Sequence, residues 1–180
     1  MKWKILSSEY ISKHQYFTAR KDVCEMPDGR IVPSYYVVEL PESVCAMAIT
    51  EEGKVILAKQ YRHPVAEVLT ELPGGFVDKG EAPETAIARE LLEETGHEFS
   101  LIDYVGKVAG NPGVLSGYTH LFLARGGKKI AGQSLDSNEQ IDLLLLPVEE
   151  VRSMLDKNEF AQALHVSCLL YAFKKLDSLT

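Results

Sequence analysis

Three glutamates crowded at the end of one short predicted helix constrain this 180-residue chain more than any other feature. At about 100° per residue, Glu90, Glu93 and Glu94 fall in one sector of that helix. Like charges three and four residues apart repel, and acids in the last turn oppose the negative end of the helix dipole. A divalent cation would turn this repulsion into a binding site, because hard cations prefer oxygen ligands. The alternative interpretation is a solvated acidic face.

The same segment has clear helix-terminating signals. The spacing predicts a helix over 83–95, with Pro83 in the first turn and Gly96 where a left-handed residue often ends a helix. An apolar stripe is predicted opposite the glutamates. Its residues are Ile87, Ala88, Leu91, Leu92 and Thr95. We therefore expect one face to pack and the other to present three carboxylates.

Composition excludes several classes of protein. The chain is 46% hydrophobic and 25% charged, which is typical of a globular protein with one main domain. Its formal charge of -7 disfavours nucleic acid and anionic lipid as partners. Residues 1–15 lack the pattern of a signal peptide, and no apolar run approaches the length of a membrane span. We expect a cytoplasmic protein whose cysteines, Cys24, Cys45 and Cys168, are reduced core residues.

A β-rich segment precedes the main domain. Residues 1–40 resemble a small sheet, with a hairpin of 17–23 and 31–38 around the turn 27–29. A proline and polar residues near 40–43 mark the only candidate boundary. We expect an N-terminal β subdomain over 1–40 and a second domain over 41–180.

The rest of the chain alternates strand and helix signals. Strands are predicted at 44–50, 55–61, 104–108, 120–124 and 141–146, and two closing helices follow Pro147. Together with the acidic helix, these elements predict an α/β or α+β sandwich.

The residues around the acidic helix resemble the signature of the Nudix hydrolases. The matching positions are Gly75, Glu81, Arg89, Glu90, Leu91, Glu93, Glu94 and Gly96, and His97 stands where the family has a bulky apolar residue. The resemblance implies an α/β/α sandwich with a mixed sheet, preceded here by the small antiparallel sheet. It also implies dependence on Mg²⁺, with Mn²⁺ possible, and hydrolysis of a nucleoside diphosphate linked to another moiety.

The resemblance also implies roles for individual residues. Glu90 and Glu94 would be metal ligands, and Glu93 would be a further ligand or would bind the catalytic water. Arg89 would orient the acids, and Glu81 would hold the loop or bind a cation through water. These expectations agree with the chemistry, since cleaving a diphosphate requires charge neutralisation and an oriented water.

Three further segments are similar to the ADP-ribose pyrophosphatase subgroup. Arg62 ends the run Gln-Tyr-Arg, and Glu71 begins the run Glu-Leu-Pro-Gly-Gly; Pro112 follows Gly96 by sixteen residues. The resemblance implies that Arg62, Glu71 and Pro112 bind substrate and that the main-chain carbonyl of Gly74 joins the metal ligands.

The third segment is the polar loop 136–140. A glutamate in this loop positions or deprotonates the attacking water in the subgroup, and the resemblance transfers that role to Glu139. Asp136 in the same loop is a competing candidate.

The combined hypothesis is a metal-dependent enzyme that splits ADP-ribose, or a similar nucleoside diphosphate sugar, into a nucleoside monophosphate and a sugar phosphate. Alternative substrates are GDP-mannose, NADH and other nucleoside diphosphate derivatives. A non-catalytic nucleotide-sensing protein with the same scaffold is the alternative from another class. The resemblance also implies a homodimer, paired through the segment 1–40.

Overall fold

The computed structural model describes residues 1–14 and 17–179. The expected ranges 1–40 and 41–180 include Gln15, Tyr16 and Thr180, which lie outside the described residues. The strands are β1 (Lys4–His14), β2 (Phe17–Glu25), β3 (Ile31–Glu39), β4 (Ser43–Thr50), β5 (Lys54–Arg62), β6 (Glu67–Glu71), β7 (His97–Ala109), β8 (Tyr118–Lys129) and β9 (Ile141–Pro147). The helices are α1 (Pro83–Thr95), α2 (Val148–Asp156) and α3 (Ala163–Asp177). The chain divides into two compact units.

The first unit comprises Met1–Pro41 and Ala109–Tyr118. Its antiparallel sheet has the order β1-β2-β3, which confirms the predicted small N-terminal sheet. Gly29 closes the β2–β3 turn with a φ of +85°, a conformation that glycine adopts without steric cost. The segment 109–118 joins this unit along β3, where the Val38 N–H donates to the Val114 carbonyl at 2.8 Å.

The second unit is built on a six-stranded mixed sheet. Its order is β6-β5-β4-β8-β7, and β9 also pairs with β5. The β4–β8 pair is parallel, whereas β4–β5, β5–β6 and β5–β9 are antiparallel.

Two strands share one edge of β5. Val55 and Ile56 pair with both β4 and β9, and the next part of β5, residues 58–60, pairs with both β6 and β9. Because a strand has only two edges, β4 and β6 must follow each other along the edge opposite β9. The chain leaving β6 then runs beside β4, where the Ala46 N–H donates to the Pro73 carbonyl and the Val44 N–H to the Gly75 carbonyl. This strand fork places the Gly74–Gly75 turn against β4.

Helices cover both faces of this sheet. On one face, Val44, Ala46 and Ala48 pack with α1 residues. On the other face, Cys45 and Met47 pack with α2 and α3. The result confirms the predicted α/β/α sandwich, and all three cysteines are buried and free. Among the described residues, no helix has the length and apolar character needed to cross a bilayer.

The largest differences between the predicted and the observed elements of the second unit lie at β6 and β7. Strand β7 begins at His97, seven residues before the predicted start at Tyr104, and its first half carries no continuous apolar run that would have marked it as a strand. Strand β6 was not predicted at all. Its five residues are mostly exposed or half-buried and lack an apolar run, so its pairing with β5 decides its conformation.

Candidate active site

Helix α1 begins and ends where the sequence predicts. Gly96 has a φ of +71°, and its N–H donates to the Leu92 carbonyl at 2.9 Å. The predicted apolar stripe is wrong at two positions, since Ala88 and Leu92 are exposed. The buried positions are Ala86, Ile87, Leu91, Glu94 and Thr95. At about 100° per residue, the buried face is rotated by roughly 70° toward the glutamates.

This rotation buries Glu94, a residue expected on the presented face. Glu94 is only 6% exposed, and the Gly74 N–H donates to its carboxylate at 2.8 Å. Burial raises the pKa of Glu94 to about 8, and the charges of Glu90 and Glu139 add to this rise while the Gly74 hydrogen bond opposes it.

The glycine pair makes the close approach of main chain and carboxylates possible. Gly74 has a φ of +151°, and a Cβ atom there would overlap the Val44 carbonyl oxygen. A Cβ atom on Gly75 would lie 2.5 Å from the carboxylate of Glu90. Gly74 therefore requires glycine for its backbone conformation and space, whereas a Cβ atom at Gly75 would displace the Glu90 carboxylate. Burial also raises the pKa of Glu90, although the nearby guanidinium of Arg89 opposes this rise.

Arg89 binds three of the predicted acids. Its Nη1 donates to Glu90 at 2.9 Å and to Glu93 at 3.1 Å, while its Nε and Nη2 donate to Glu81 at 3.1 and 3.0 Å. Nη2 also reaches the Phe76 carbonyl at 3.1 Å. The hydrogen bond from Arg89 lowers the pKa of Glu81. Arg89 thus orders both the helix and the loop before it.

Arg62 and Glu71 form an ion pair that sequence reasoning did not anticipate. Glu71 is 1% exposed and accepts from Arg62 Nε at 3.1 and 3.0 Å and from Arg62 Nη2 at 2.5 Å. The ion pair joins β5 to β6 diagonally. The register partner of Arg62 is Glu67, and Glu71 lies four residues further along β6. The guanidinium thus supplies the hydrogen-bond donors that this buried carboxylate needs.

Buried His165 supports the same segment from α3. Its Nδ1 accepts the Leu72 N–H at 3.1 Å, so the ring is neutral with its proton on Nε2. Burial lowers the pKa of His165 to about 3, and the charge of Arg62 contributes to this. No local signal in the sequence identifies this residue, because Leu72 lies 93 positions earlier in the chain.

The polar loop before β9 brings Glu139 into the electrostatic environment of α1. Its charge acts on both Glu90 and Glu94. The Asp136 N–H donates to the Glu139 carboxylate at 3.1 Å, and the Glu139 N–H donates to the Asp136 carbonyl at 3.0 Å. The main chain of Asp136 thus orients the side chain of Glu139.

The residues predicted to bind metal make contacts within the protein instead, and Pro112 lies in the first unit. Within residues 1–14 and 17–179, no group of three or more acidic, histidine or cysteine side chains is arranged so that it could hold a metal ion. Glu90 and Glu93 bind Arg89 instead, and Glu94 binds Gly74. Pro112 belongs to the first unit, beside Gly113, whose carbonyl accepts from the Tyr35 hydroxyl at 3.0 Å. The metal and substrate roles of these residues stay predictions.

The donor chemistry nevertheless fits a divalent cation. Glu90 and Glu94 are carboxylates whose pKa values are raised by burial and by neighbouring negative charge. Hard cations bind oxygen ligands of this kind, and binding requires the ligands to be deprotonated. A cation would therefore compensate the charge that the fold has brought together.

Comparisons with known proteins match both units. The NUDIX domain model matches residues 39–166, and the model of the nucleoside diphosphate sugar hydrolase N-terminal domain matches residues 3–38. The chain is 31% identical over 174 residues to the methanol dehydrogenase activator of Bacillus methanolicus, covering 93% of this chain and 94% of that protein. It is 30% identical over 167 residues to the ADP-ribose pyrophosphatase of Bacillus subtilis, covering 89% of each.

A solved structure shows the same fold. A crystal structure of an ADP compounds hydrolase superposes with a TM-score of 0.86 at 22% identity, covering 99% of this chain and 96% of that one. The family signature on α1, the sandwich that carries it and the domain match agree. This chain belongs to the Nudix family.

Proposed function

We propose that this protein hydrolyses the pyrophosphate bond of ADP-ribose, or of a similar nucleoside diphosphate sugar, in the presence of Mg²⁺ or Mn²⁺. The products are a nucleoside monophosphate and a sugar phosphate. One observation carries the proposal: half-buried Glu90 and buried Glu94 lie beside the Gly74–Gly75 turn, and the charge of Glu139 raises the pKa values of both. The similarity to an ADP-ribose pyrophosphatase over 89% of the chain supports the substrate class.

The carboxylates of Glu90, Glu93 and Glu94, with the Gly74 carbonyl, would hold the cation. When bound, the cation supplies charge neutralisation for the diphosphate and orientation for the attacking water. Arg89 keeps Glu90 and Glu93 on the same side of α1 through its Nη1. Glu139 accepts a proton from the water, a role that fits the effect of its charge on Glu90 and Glu94.

Arg62 is suited to bind a phosphate group of the substrate. Its Nε and Nη2 are occupied by Glu71, so the Nη1 edge of the planar guanidinium points away from that carboxylate. Its side chain is 41% exposed, whereas that of Glu71 is 2% exposed. Glu71 therefore acts on the substrate through Arg62, which it orients.

The N-terminal unit supports the proposed homodimer. Every residue of β1 except Ser12 is exposed, including Ile5, Leu6, Tyr10 and Ile11. A second copy of the chain would cover these apolar side chains. A cytoplasmic location, with no nucleic acid or membrane partner, completes the proposal, and the three free cysteines agree with it.

A second candidate function comes from the methanol dehydrogenase activator, which the chain matches over 93% of its length. On this alternative, the protein would act on another enzyme and not on a free nucleotide sugar.

The test is a parallel assay of purified protein with Mg²⁺. We expect AMP and ribose 5-phosphate from ADP-ribose, with slower turnover of GDP-mannose, UDP-glucose and NADH. Addition of EDTA should abolish product formation. Absence of AMP at high enzyme concentration would reject the substrate, and activation of a methanol dehydrogenase without such turnover would favour the second candidate.

A further inference from the structure

Residues 130–134 lie against the C-terminal end of α1. The last carbonyl groups of a helix lack donors within the helix and need partners elsewhere. The Ser134 N–H donates to the Glu93 carbonyl at 2.8 Å, and the N–H groups of Ile130 and Ala131 donate to the Gly96 carbonyl at 2.9 and 3.1 Å. This segment therefore supplies donors to the end of the helix that carries the acids.

The side chain of Gln133 adds two bonds of a different kind. Its Nε2 lies 2.8 Å from the Glu94 carbonyl oxygen and 3.1 Å from the Ile141 carbonyl oxygen. Both partners are acceptors, so the amide nitrogen must face them, and its two hydrogens satisfy one each. A single amide thus joins the helix at Glu94 to the first residue of β9.

The residues between these anchors carry Glu139. The loop is tied to α1 at Ser134 and to β9 at Ile141, and the reciprocal bonds of Asp136 and Glu139 close it internally. The reciprocal bonds hold residues 136–139 together as one turn. The anchors at Ser134 and Ile141 therefore restrict where the Glu139 carboxylate can lie.

We propose that Gln133 is a positioning residue, whose amide fixes the Glu139 loop relative to Glu94. The expected effect of Gln133 on turnover rests on the proposed function, whereas its expected effect on the position of the loop does not. Neither the family signature nor the subgroup motifs include this residue. It acts through Glu139 and does not contact the reacting groups.

The test replaces the amide without changing the length of the side chain. In Gln133→Met both donors are lost, and Gln133→Glu replaces them with a carboxylate facing two carbonyl oxygens. We expect kcat to fall at least tenfold in both variants, with KM within about threefold of the wild-type value. Gln140→Met is the matched control in the same loop and should retain turnover within about twofold.

A double variant separates positioning from general destabilisation. If Gln133 acts through Glu139, adding Glu139→Gln to Gln133→Met should lower kcat by less than about twofold more. A full additional loss from Glu139→Gln would overturn the proposal, because the two residues would then act independently.

Hydrogen exchange provides a readout that does not depend on catalysis. Amides of residues 135–140 should exchange at least tenfold faster in Gln133→Met than in the wild type or the Gln140→Met control, while the interior amides of α1 stay unchanged. Unchanged exchange in the loop would overturn the inference even if turnover fell. Faster exchange in a protein that hydrolyses no nucleotide sugar would support the inference and reject the proposed function.

Discussion

Glu94 is a buried carboxyl group, and the metal-free protein offsets the cost of burying its ionised form only in part. Its ordinary pKa of 4.5 rises to about 8, chiefly through burial. The folded protein therefore holds this proton more tightly than the unfolded chain does. Stability is therefore lost as the pH rises from 4.5 to about 8, because the unfolded chain releases this proton while the folded protein retains it.

Glu94→Gln should for this reason stabilise the metal-free protein while it abolishes activity. Glutamine can still accept the Gly74 N–H but carries no charge. In EDTA at pH 9, we expect unfolding to cost about 2–4 kcal/mol more than in the wild type, since one pKa unit corresponds to about 1.4 kcal/mol. Calorimetric melting measures this, and turnover should fall by at least about 100-fold.

The control for this variant is Glu84→Gln, the same change at an exposed position in the first turn of α1. It should leave turnover within about twofold and the melting temperature nearly unchanged. A lower melting temperature for Glu94→Gln than for the wild type in EDTA at pH 9 would contradict the assigned burial cost.

Gly75→Ala tests the space beside Glu90. The added Cβ atom would lie 2.5 Å from that carboxylate and must displace it. We expect at least a tenfold loss of kcat and a higher Mg²⁺ concentration for half-maximal activity. Gly132→Ala, where a Cβ atom meets nothing within 4 Å, should keep turnover within about twofold. Equal activities of the two variants would refute the steric argument.

At the residue scale, the sequence named the candidate acids but not the contacts that hold them. Glu81, Arg89 and Glu90 could be named as candidates because their chemistry and spacing lie within one continuous segment. The ion pair of Glu71 with Arg62, and the contacts of Gln133 and His165, could not be predicted, because each joins strands or helices that only the tertiary fold brings together. Local periodicity also misplaced the buried face of α1, since the Gly74–Gly75 turn covers Glu94.

At the scale of elements, the neutral side chain of His165 joins α3 to the segment 72–75, which follows β6. His165 has a pKa of about 3, below its ordinary value of 6.5, because it is buried. As the pH falls below 6.5, the unfolded chain takes up this proton before the folded protein does. Stability therefore decreases between pH 6.5 and about 3.

His165→Asn should reduce this loss, because the asparagine oxygen can accept the Leu72 N–H but does not titrate. Between pH 7 and pH 5, the wild type should lose about 2 kcal/mol more unfolding free energy than the variant. Urea unfolding at both pH values measures the difference. The exposed His63→Asn is the control and should lose as much as the wild type; equal losses in His165→Asn would disprove the assignment.

Elements with strong local signals were predictable, and those defined by pairing were not. The acidic helix and the hairpin of β2 and β3 carry capping and turn residues that specify them locally. Strand β6 has only its pairing with β5 and the Arg62–Glu71 ion pair to define it. This explains why the sequence predicted the sandwich but not the strand fork.

At the scale of the whole molecule, the exposed strand β1 predicts self-association. We expect light scattering to give twice the chain mass of 20.0 kDa. Ile5→Ser combined with Ile11→Ser should yield a monomer, because these side chains are 54% and 61% exposed in the single chain. Ile130→Ser, at a position also 54% exposed but in the other unit, should leave the mass unchanged. A wild-type monomer would contradict the prediction.

The strand fork has a consequence for how sequence length can vary in this protein. An extra residue in the turn between β5 and β6 would only enlarge a surface hairpin, so the protein should accept insertions there. An extra residue between Leu72 and Gly75 would shift the chain by one step against β4 and place a side chain where only hydrogen fits. The pairing of this segment with β4 thus fixes the number of residues at the two glycines, whereas the length of the β5–β6 hairpin can vary.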